Sequence, residues 1–482
     1  MGVLSGLEPK EVFAYFEKLC AVPHGSGNTK QISDLCAGLA RELGLPYRQD
    51  EHNNLVIWKK GSPGYEDAPA IILQGHLDMV CAKTGDCAKD MAREGLDLAT
   101  DGEWVRAEKT SLGGDNCIAV AMILAILADE DCPHPPLEAV FTSDEEIGLV
   151  GAFAMDCSDL KGRQLLNLDS EEEGVFTVSC SGGVRLECAV PVLRVPAEEG
   201  AGYAVTVSGL KGGHSGVDID KGRASANQLL VRVFYAALEE IEGLRVSDLR
   251  GGRFENVICP QSQGLVIIPA DRKTDFEALI RKLDGDLKVE YAGCDEGVTL
   301  TCAPAEVPAA LSREDSRRLL RTLVALPQGV QAMSMDFPGL VQTSLNLGSM
   351  GLEEDGFRAV ISIRSCVASQ VNMLRQRVGA ILESGGGTVV PRNPYPGWQY
   401  QRESAMRDRL LAAHRDLSGQ EGCLKATHGG LECGIFIEKL PGLDAVSLGP
   451  ELREVHSPRE RLSAASTQRV YRLVREFLRR SR

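Results

Sequence analysis

The sequence has no surplus of basic residues: 52 lysines and arginines stand against 68 aspartates and glutamates, a formal charge of −16 with a pI near 5.1. A nucleic-acid surface needs a basic face to displace counterions from phosphates, so that class is disfavoured and small-molecule chemistry favoured. There is no CxxC pair, and the 15 cysteines are odd in number and scattered in spacing, which argues against a zinc ribbon or a redox dithiol. Cys117, Cys180, Cys188 and Cys366 sit among small or apolar neighbours, where a thiol packs as a small hydrophobe. The opening MGVLSGLEPKEVFAYFEKL lacks the basic segment, apolar run and small-residue cleavage site of a secretory signal, and reads as an amphipathic helix. Gly2 does not fit myristoylation, because Gly6 stands where that pattern has Ser or Thr. The longest apolar run, Cys117 to Ala128, is too short to span a bilayer. No internal repeat or low-complexity segment is visible, and the expected location is the cytoplasm.

What is present is an ordinary globular composition, 43% hydrophobic and 25% charged, in a chain of 482 residues, too long for one core. Two domains are expected. Up to about residue 180, apolar strand-like runs alternate with helical stretches, the pattern of an α/β domain with a mixed, largely parallel sheet. From about 187 the texture changes to alternating strands (VRLECAVPV, YAVTVSGL, LVIIPA, RAVISIRS) with amphipathic helices such as SANQLLVRVFYAALEEI between them, an α+β domain. Past the Pro/Gly-rich PRNPYPGWQY the first texture returns. The expected division is a catalytic domain in two parts, 1–186 and 391–482, with 187–390 inserted.

Three short apolar runs, Ala70 to Gln74, Leu137 to Thr142 and Gln164 to Leu168, are each followed at once by acidic or histidine residues. Ligands of open α/β sheets gather beyond the carboxyl ends of strands, so these loops are expected to converge. After the first come His76, a candidate metal ligand, and Asp78, placed to accept from the far imidazole nitrogen; alone, the pair also fits a surface or capping role. Leu112-Gly113-Gly114-Asp115-Asn116 precedes the apolar helix: Asp115 suits an N-cap, but the glycine pair lets the backbone bend and deliver a carboxylate able to bridge two cations. Asp144-Glu145-Glu146 follows the second strand, where one glutamate can bind metal while its neighbour serves as general base. Asp169 ends the third strand, with a solvated acidic run, Glu171 to Glu173, behind it. His456, one of eight histidines, follows the strand-like Ala445 to Leu448 and a Gly-Pro turn. Two histidines and three carboxylates, with one acid left over, make a ligand set for two divalent ions, and N/O ligands without thiolates suit zinc first, then cobalt or manganese.

The words GHLDMV, LGGDN, TSDEEIG, LDSEEEG, LKGGHSGVDI and HGGLECG fall in one order along essentially the whole chain and resemble the dipeptidases of the M20 metallopeptidase clan. LDSEEEG with KGGHSG, YPGW and HGGLECG resembles the aminoacyl-histidine (Xaa-His) dipeptidases. The resemblance implies that His76, Asp115 and Asp169 hold one ion, and that Asp115 bridges to a second held by Glu146 and His456. It implies that Asp78 supports His76 and that Glu145 is the general base and acid, activating a metal-bridged water and then protonating the leaving amine. It also implies a cis Asp115–Asn116 peptide and an inserted lid and dimerisation domain, hence a homodimer. His214 would donate to the carbonyl oxyanion from its own subunit or the partner's. Asn256 and Arg364 would be substrate-side residues, and Gly430 would let substrate approach the backbone.

Cys117 stands where the family often has glycine, which crowds the helix start or leaves a thiol near the ions. No residue spacing explains an imidazole pocket, so dipeptidases of other preference stay open. So do an N-acyl amino acid deacylase of the same fold and a scaffold that kept only the fold.

Overall fold

The structure, a computed structural model, describes residues 2–197 and 200–482. The chain divides into two compact units: residues 2–179, 400–426 and 431–482, and residues 180–197, 200–399 and 427–430. The divisions fall at 179/180 and 399/400 rather than after 186 and 390. The reason is a strand pairing: Gly182–Val190 and Thr388–Tyr395 are antiparallel neighbours in the second unit's sheet, so both belong wholly to it. The short return of 427–430 to the second unit leaves no mark in the composition.

The first unit is built on an eight-stranded mixed sheet. Its order is Tyr47–Gln49, Leu55–Lys59, Leu137–Thr142, Ile71–His76, Gln164–Asn167, Asp444–Ser447, Val175–Cys180 and Cys423–Thr427. The four strands from Leu137–Thr142 to Asp444–Ser447 run parallel, so their carboxyl ends share one edge. Ile71–His76 and Leu137–Thr142 are buried at every position, as strands covered on both faces must be, which is why they read as continuous apolar runs. The first of these runs two residues past Gln74 and takes in His76, while the third stops at Asn167. The amphipathic helix Lys10–Cys20 buries Val12, Phe13, Phe16 and Leu19. Gly114–Ala128 is apolar all round and almost wholly buried, and its regular helical backbone begins only after Asp115 and Asn116. A four-stranded sheet pairs the hairpin Leu452–Arg453/Arg461–Ser463 with Trp104–Ala107 and Leu98–Thr100, and the loop of that hairpin carries His456.

The second unit has a nine-stranded sheet centred on the antiparallel strands Arg245–Gly251, Val341–Glu353, Gly356–Ser365 and Gly182–Val190. Along Gly182–Val190 the side chains of Val184, Leu186, Cys188 and Val190 are buried while Arg185 and Glu187 are exposed, the period-two alternation of a half-covered sheet. The buried face forms one core with Leu229, Leu230 and Phe234 of Ala226–Glu240, Phe276 of Lys273–Glu290, Leu319 and Leu320 of Arg313–Val324, and Leu374 and Val378 of Ala368–Ser384. Cys117, Cys180 and Cys188 are buried as expected, but Cys366 is only partly so. Among the described residues no helix is long and apolar enough to cross a membrane.

Candidate metal and catalytic site

Five side chains, each from a different segment of the first unit, meet beyond the parallel strands. The Asp115 carboxylate lies at the centre: Oδ1 is 3.1 Å from His76 Nε2 and Oδ2 is 3.2 Å from His456 Nε2. Asp169 Oδ1 lies 3.4 Å from the same His76 nitrogen, and Glu146 Oε1 lies 2.8 Å from the same His456 nitrogen. His76, Asp115 and Glu146 each offer a ligand atom within 4.8 Å of the others, close enough to hold a metal ion. Asp115 does not cap its helix; Gly113 takes the N-cap position at φ 64°, and Asp115 is thereby free to turn inward. The Asp115–Asn116 peptide is cis.

The donor set fits divalent metal on electrostatic grounds. Burial pushes Asp169 up to about 7, with Asp115 and Glu432 adding to the rise. Burial opposes charge on Asp115 too, but His456 and His76 hold it well below the carboxylate range. Hydrogen bonds to Asp115 and Glu146 push His456 up to about 10. Burial disfavours the His76 imidazolium, yet Asp169, Asp115 and Asp78 together raise it well above the usual value. Carboxylates this close repel one another and are stabilised only by positive charge between them.

Several of the candidate ligands are fixed from behind. His76 Nδ1 donates to the Asp78 backbone carbonyl at 3.0 Å, which leaves Nε2 as the nitrogen that faces the acids and that would bind metal once deprotonated. The Asp78 carboxylate stands farther from Nδ1, at 3.4 Å, so the expected His–Asp contact is made chiefly through the backbone. That carboxylate instead accepts from Glu145 N at 2.9 Å, Glu146 N at 3.2 Å and Ser26 Oγ at 2.8 Å. Asn116 accepts from His76 N at 3.1 Å and donates to Leu168 O at 2.8 Å, tying two ligand-bearing strands together. Several of these loops hold non-glycine residues at positive φ, namely Asp144 at 52°, Leu149 at 60°, Glu454 at 54° and His456 at 60°. Such backbone is strained, and it clusters here because the site over-determines it.

Glu145 is the acid left over from the ligand set, and burial raises it well above the carboxylate range, with Asp169, Glu432 and Glu146 contributing. Behind Asp169 the acidic run divides: Glu172 pairs with Lys425 at 2.9 Å and Glu173 with Arg469 at 2.5 Å, while burial, with Asp115 adding to the rise, pushes Glu171 up to about 7. Cys117 is fully buried and burial pushes its thiol up to about 12, so it packs as an inert group. Sequence reasoning missed Glu432, which is fully buried with Oε2 accepting from Gln74 Nε2 at 2.6 Å and Thr142 Oγ1 at 2.8 Å. The available signal was a lone acid inside the apolar GGLECGIF.

The four residues assigned to the substrate side all belong to the second unit. His214 Nδ1 accepts from Gly216 N at 3.1 Å and Val217 N at 3.3 Å, which places its proton on Nε2 as a donor. Asn256 lies beside it: its carbonyl accepts from Ser215 N at 2.8 Å, and His214 pairs with Val257 in a short antiparallel bridge. Arg364 Nη1 donates to Tyr395 Oη at 3.1 Å, and its buried Nε has no partner. A Cβ on Gly430 would sit 3.2 Å from the Tyr395 ring, so Arg364, Tyr395 and Gly430 are neighbours. His428, with Nε2 2.8 Å from Ser344 Oγ, was not anticipated.

Residues 205–293 match the family model of a peptidase dimerisation domain. The chain is 34% identical over 480 residues to the cytosol non-specific dipeptidase of Escherichia coli (strain K12), covering 99% of both chains. The crystal structure of the aminoacylhistidine dipeptidase from Vibrio alginolyticus superposes with a TM-score of 0.93 at 32% identity, covering 99% of this chain and 98% of that one. A tripeptidase from Staphylococcus aureus, 14% identical with a TM-score of 0.56 over 100% of this chain and 99% of its own, shares the fold. With identity at this level running the full length of chain and relative, and with the dimerisation-domain match inside it, the chain belongs to the M20 family of metallopeptidases.

Proposed function

We propose that this chain is a dinuclear metal-dependent dipeptidase that hydrolyses unblocked dipeptides, Xaa-His dipeptides among them. The observation that carries the reading is Asp115, whose two oxygens face two different histidines, each accompanied by a further carboxylate. His76, Asp115 and Asp169 would hold one ion, and Asp115, Glu146 and His456 the other. Nitrogen and oxygen donors without thiolate suit zinc, with cobalt or manganese as substitutes. Two divalent ions bound there supply Lewis acidity to the peptide carbonyl and make water a nucleophile near neutral pH.

The chain's own residues do the rest. Glu145, buried and with its carboxyl raised, takes a proton from the attacking water and gives it to the leaving amine nitrogen. Asp78 holds Glu145 in place through its backbone N–H. His214 Nε2–H is a donor for the developing oxyanion, and Asn256 lies beside it. The unpartnered Nε of Arg364 suits a substrate carboxylate, which takes two parallel N–H bonds from a guanidinium. Gly430 leaves room for a substrate to lie along its backbone. The names of the two full-length relatives support dipeptides as the substrate class, and the breadth of "non-specific" in one supports cleavage beyond Xaa-His. The dimerisation-domain match supports a homodimer through the second unit, and the cytosolic relative supports a cytoplasmic location.

The test is metal content together with hydrolysis of a dipeptide panel that includes Xaa-His and N-acyl amino acids, for wild type and Glu145→Ala. About two ions per chain, cleavage of the free dipeptides, and loss of cleavage with metal retained in the variant are expected. Cleavage of N-acyl amino acids alone would establish the deacylase reading, metal-free inactive protein the scaffold reading, and full activity in Glu145→Ala would remove Glu145 as the base.

A further inference from the structure

Glu460 belongs to none of the roles assigned so far. It is 2% exposed, and its carboxylate accepts from four successive backbone N–H groups: Leu112 at 2.9 Å and Gly113 at 3.2 Å on Oε2, Gly114 at 2.8 Å and Asp115 at 3.3 Å on Oε1. Consecutive N–H groups converge in this way only where the backbone turns through a left-handed residue, and Gly113 at φ 64° is that residue. A turn of this kind is an anion-binding concavity, and here the chain fills it with its own carboxylate. The fit is close on the other side as well, since a Cβ on Gly114 would lie 2.6 Å from Leu452 Cδ2 and 3.3 Å from Glu460 Oε1.

The position of Glu460 gives this contact its consequence. The hairpin Leu452–Arg453/Arg461–Ser463 closes a single loop, and that loop contains both His456 and Glu460. The turn that Glu460 fills ends at Asp115, whose Oδ2 is 3.2 Å from His456 Nε2. One loop therefore supplies a histidine to the site and, four residues later, plugs the turn that delivers the carboxylate facing that histidine. We infer that Glu460 is a positioning residue for the dinuclear centre, locking the 112–115 turn to the His456 loop so that Asp115 and His456 are held at ligand spacing before metal arrives. The inference rests on the ligand set proposed above.

The experiment is a zinc titration of chelator-stripped protein against a chromophoric competitor, for wild type, Glu460→Gln and Glu138→Gln. The glutamine at 460 keeps one acceptor oxygen but turns an NH2 toward two N–H donors, so half of the cradle is lost without a change of size. Glu138 is the matched control: it is 3% exposed and accepts from Lys161 N at 2.8 Å and Gly162 N at 2.9 Å, near the start of the strand Leu137–Thr142 and so at the end of the eight-stranded sheet away from the candidate ligands. Glu460→Gln is expected to fold and to bind zinc about 10–100-fold more weakly, at both steps because Asp115 is shared, while Glu138→Gln loses thermal stability at unchanged zinc affinity. Excess zinc is expected to restore turnover in Glu460→Gln.

Wild-type zinc affinity in Glu460→Gln would overturn the inference, as would an equal loss of affinity in the Glu138 control. If neither Glu460→Gln nor Glu460→Asp folds, Glu460 is a requirement of the domain and not of the site, and the inference fails on that ground. Wild-type protein that takes up no zinc, cobalt or manganese would overturn the dinuclear reading first, and this inference with it.

Discussion

Asp78 Oδ1 accepts the backbone N–H of Glu145 at 2.9 Å, so the acid two residues past His76 governs the loop of the proposed general base more directly than it governs the imidazole. Its other oxygen accepts from Glu146 N and Ser26 Oγ, which leaves no free acceptor for an added donor. Asp78→Asn places an NH2 against at least one of these donors and lets the 144–146 loop shift. The expected outcome is a fall of about 10–100-fold in kcat with zinc still bound, measured by steady-state kinetics on metal-saturated protein. A fall confined to KM would move the effect of Asp78 from the base to substrate binding.

Glu432 makes a sharper distinction between charge and shape. Both of its hydrogen bonds end on Oε2, and burial pushes its carboxyl up to about 7. Glu432→Gln keeps an acceptor oxygen for Gln74 and Thr142 and is expected to stay within about 1 kcal/mol of wild-type stability. Glu432→Ala removes the better acceptor of both donors, leaving Gln74 Nε2 its bond to Thr142 Oγ1 at 3.2 Å and Thr142 Oγ1 only the long contact to Gly75 O at 3.5 Å, and is expected to cost about 1–3 kcal/mol. Gln74 in turn accepts from Asn167 at 2.5 Å, so the loss reaches the strand before Asp169 and activity is expected to fall with stability. Denaturant unfolding of the two variants separates the cases, and an equally damaged glutamine variant would show that the carboxylate charge is needed.

These buried acids also mark where the sequence stops being legible. The strand ends could be read because a parallel sheet makes its interior strands largely apolar, so His76, Asp144 to Glu146 and Asp169, all within a few residues of Gln74, Thr142 and Leu168, stand out. Asp115 and His456 needed the combined motif, since one looked like a helix cap and the other like an ordinary polar histidine. Glu432, Glu460 and Gln74 act through partners far away in the chain, such as Leu112 for Glu460, and a single residue in a loop or an apolar helix carries no periodic signal for that. The second unit's Tyr395 and His428 were hidden for the same reason: their partners Arg364 and Ser344 lie on other strands.

Gly75 tests the packing between strand and helix start. A Cβ there would lie 2.5 Å from Asn116 Oδ1 and 3.0 Å from Ala119 Cβ, closer than real side chains come. Asn116 cannot yield freely, because it bonds His76 N and Leu168 O at once. Gly75→Ala is expected to cost about 1–3 kcal/mol by overpacking and to weaken zinc binding by displacing His76. Thermal unfolding and the competitor titration read the two effects, and unchanged zinc affinity would confine Gly75 to packing.

Metal removal should expose the electrostatics of the ligand set as a pH dependence. In the stripped protein Asp169 is raised from 3.8 to about 7, so its contribution to stability is present below its unfolded value and is lost as pH rises through about 7. His456 is raised from 6.5 to about 10, so the stability gained from its protonated form is present below 6.5 and lost as pH rises through about 10. Asp115 is shifted the other way, but it titrates below this range. Between about pH 4 and 10 both shifts therefore act in one direction, and the stripped site grows less stabilising as pH rises. Metal reverses the sign, because it binds the deprotonated ligands and its affinity rises with pH. At 100 times the Kd each ion adds about 2.7 kcal/mol, so zinc-loaded protein melts higher, and the gap between loaded and stripped Tm should widen from pH 5.5 to pH 8. Asp169→Asn should flatten the pH dependence of the stripped form. A gap that narrows with pH would mean that these residues do not carry the metal.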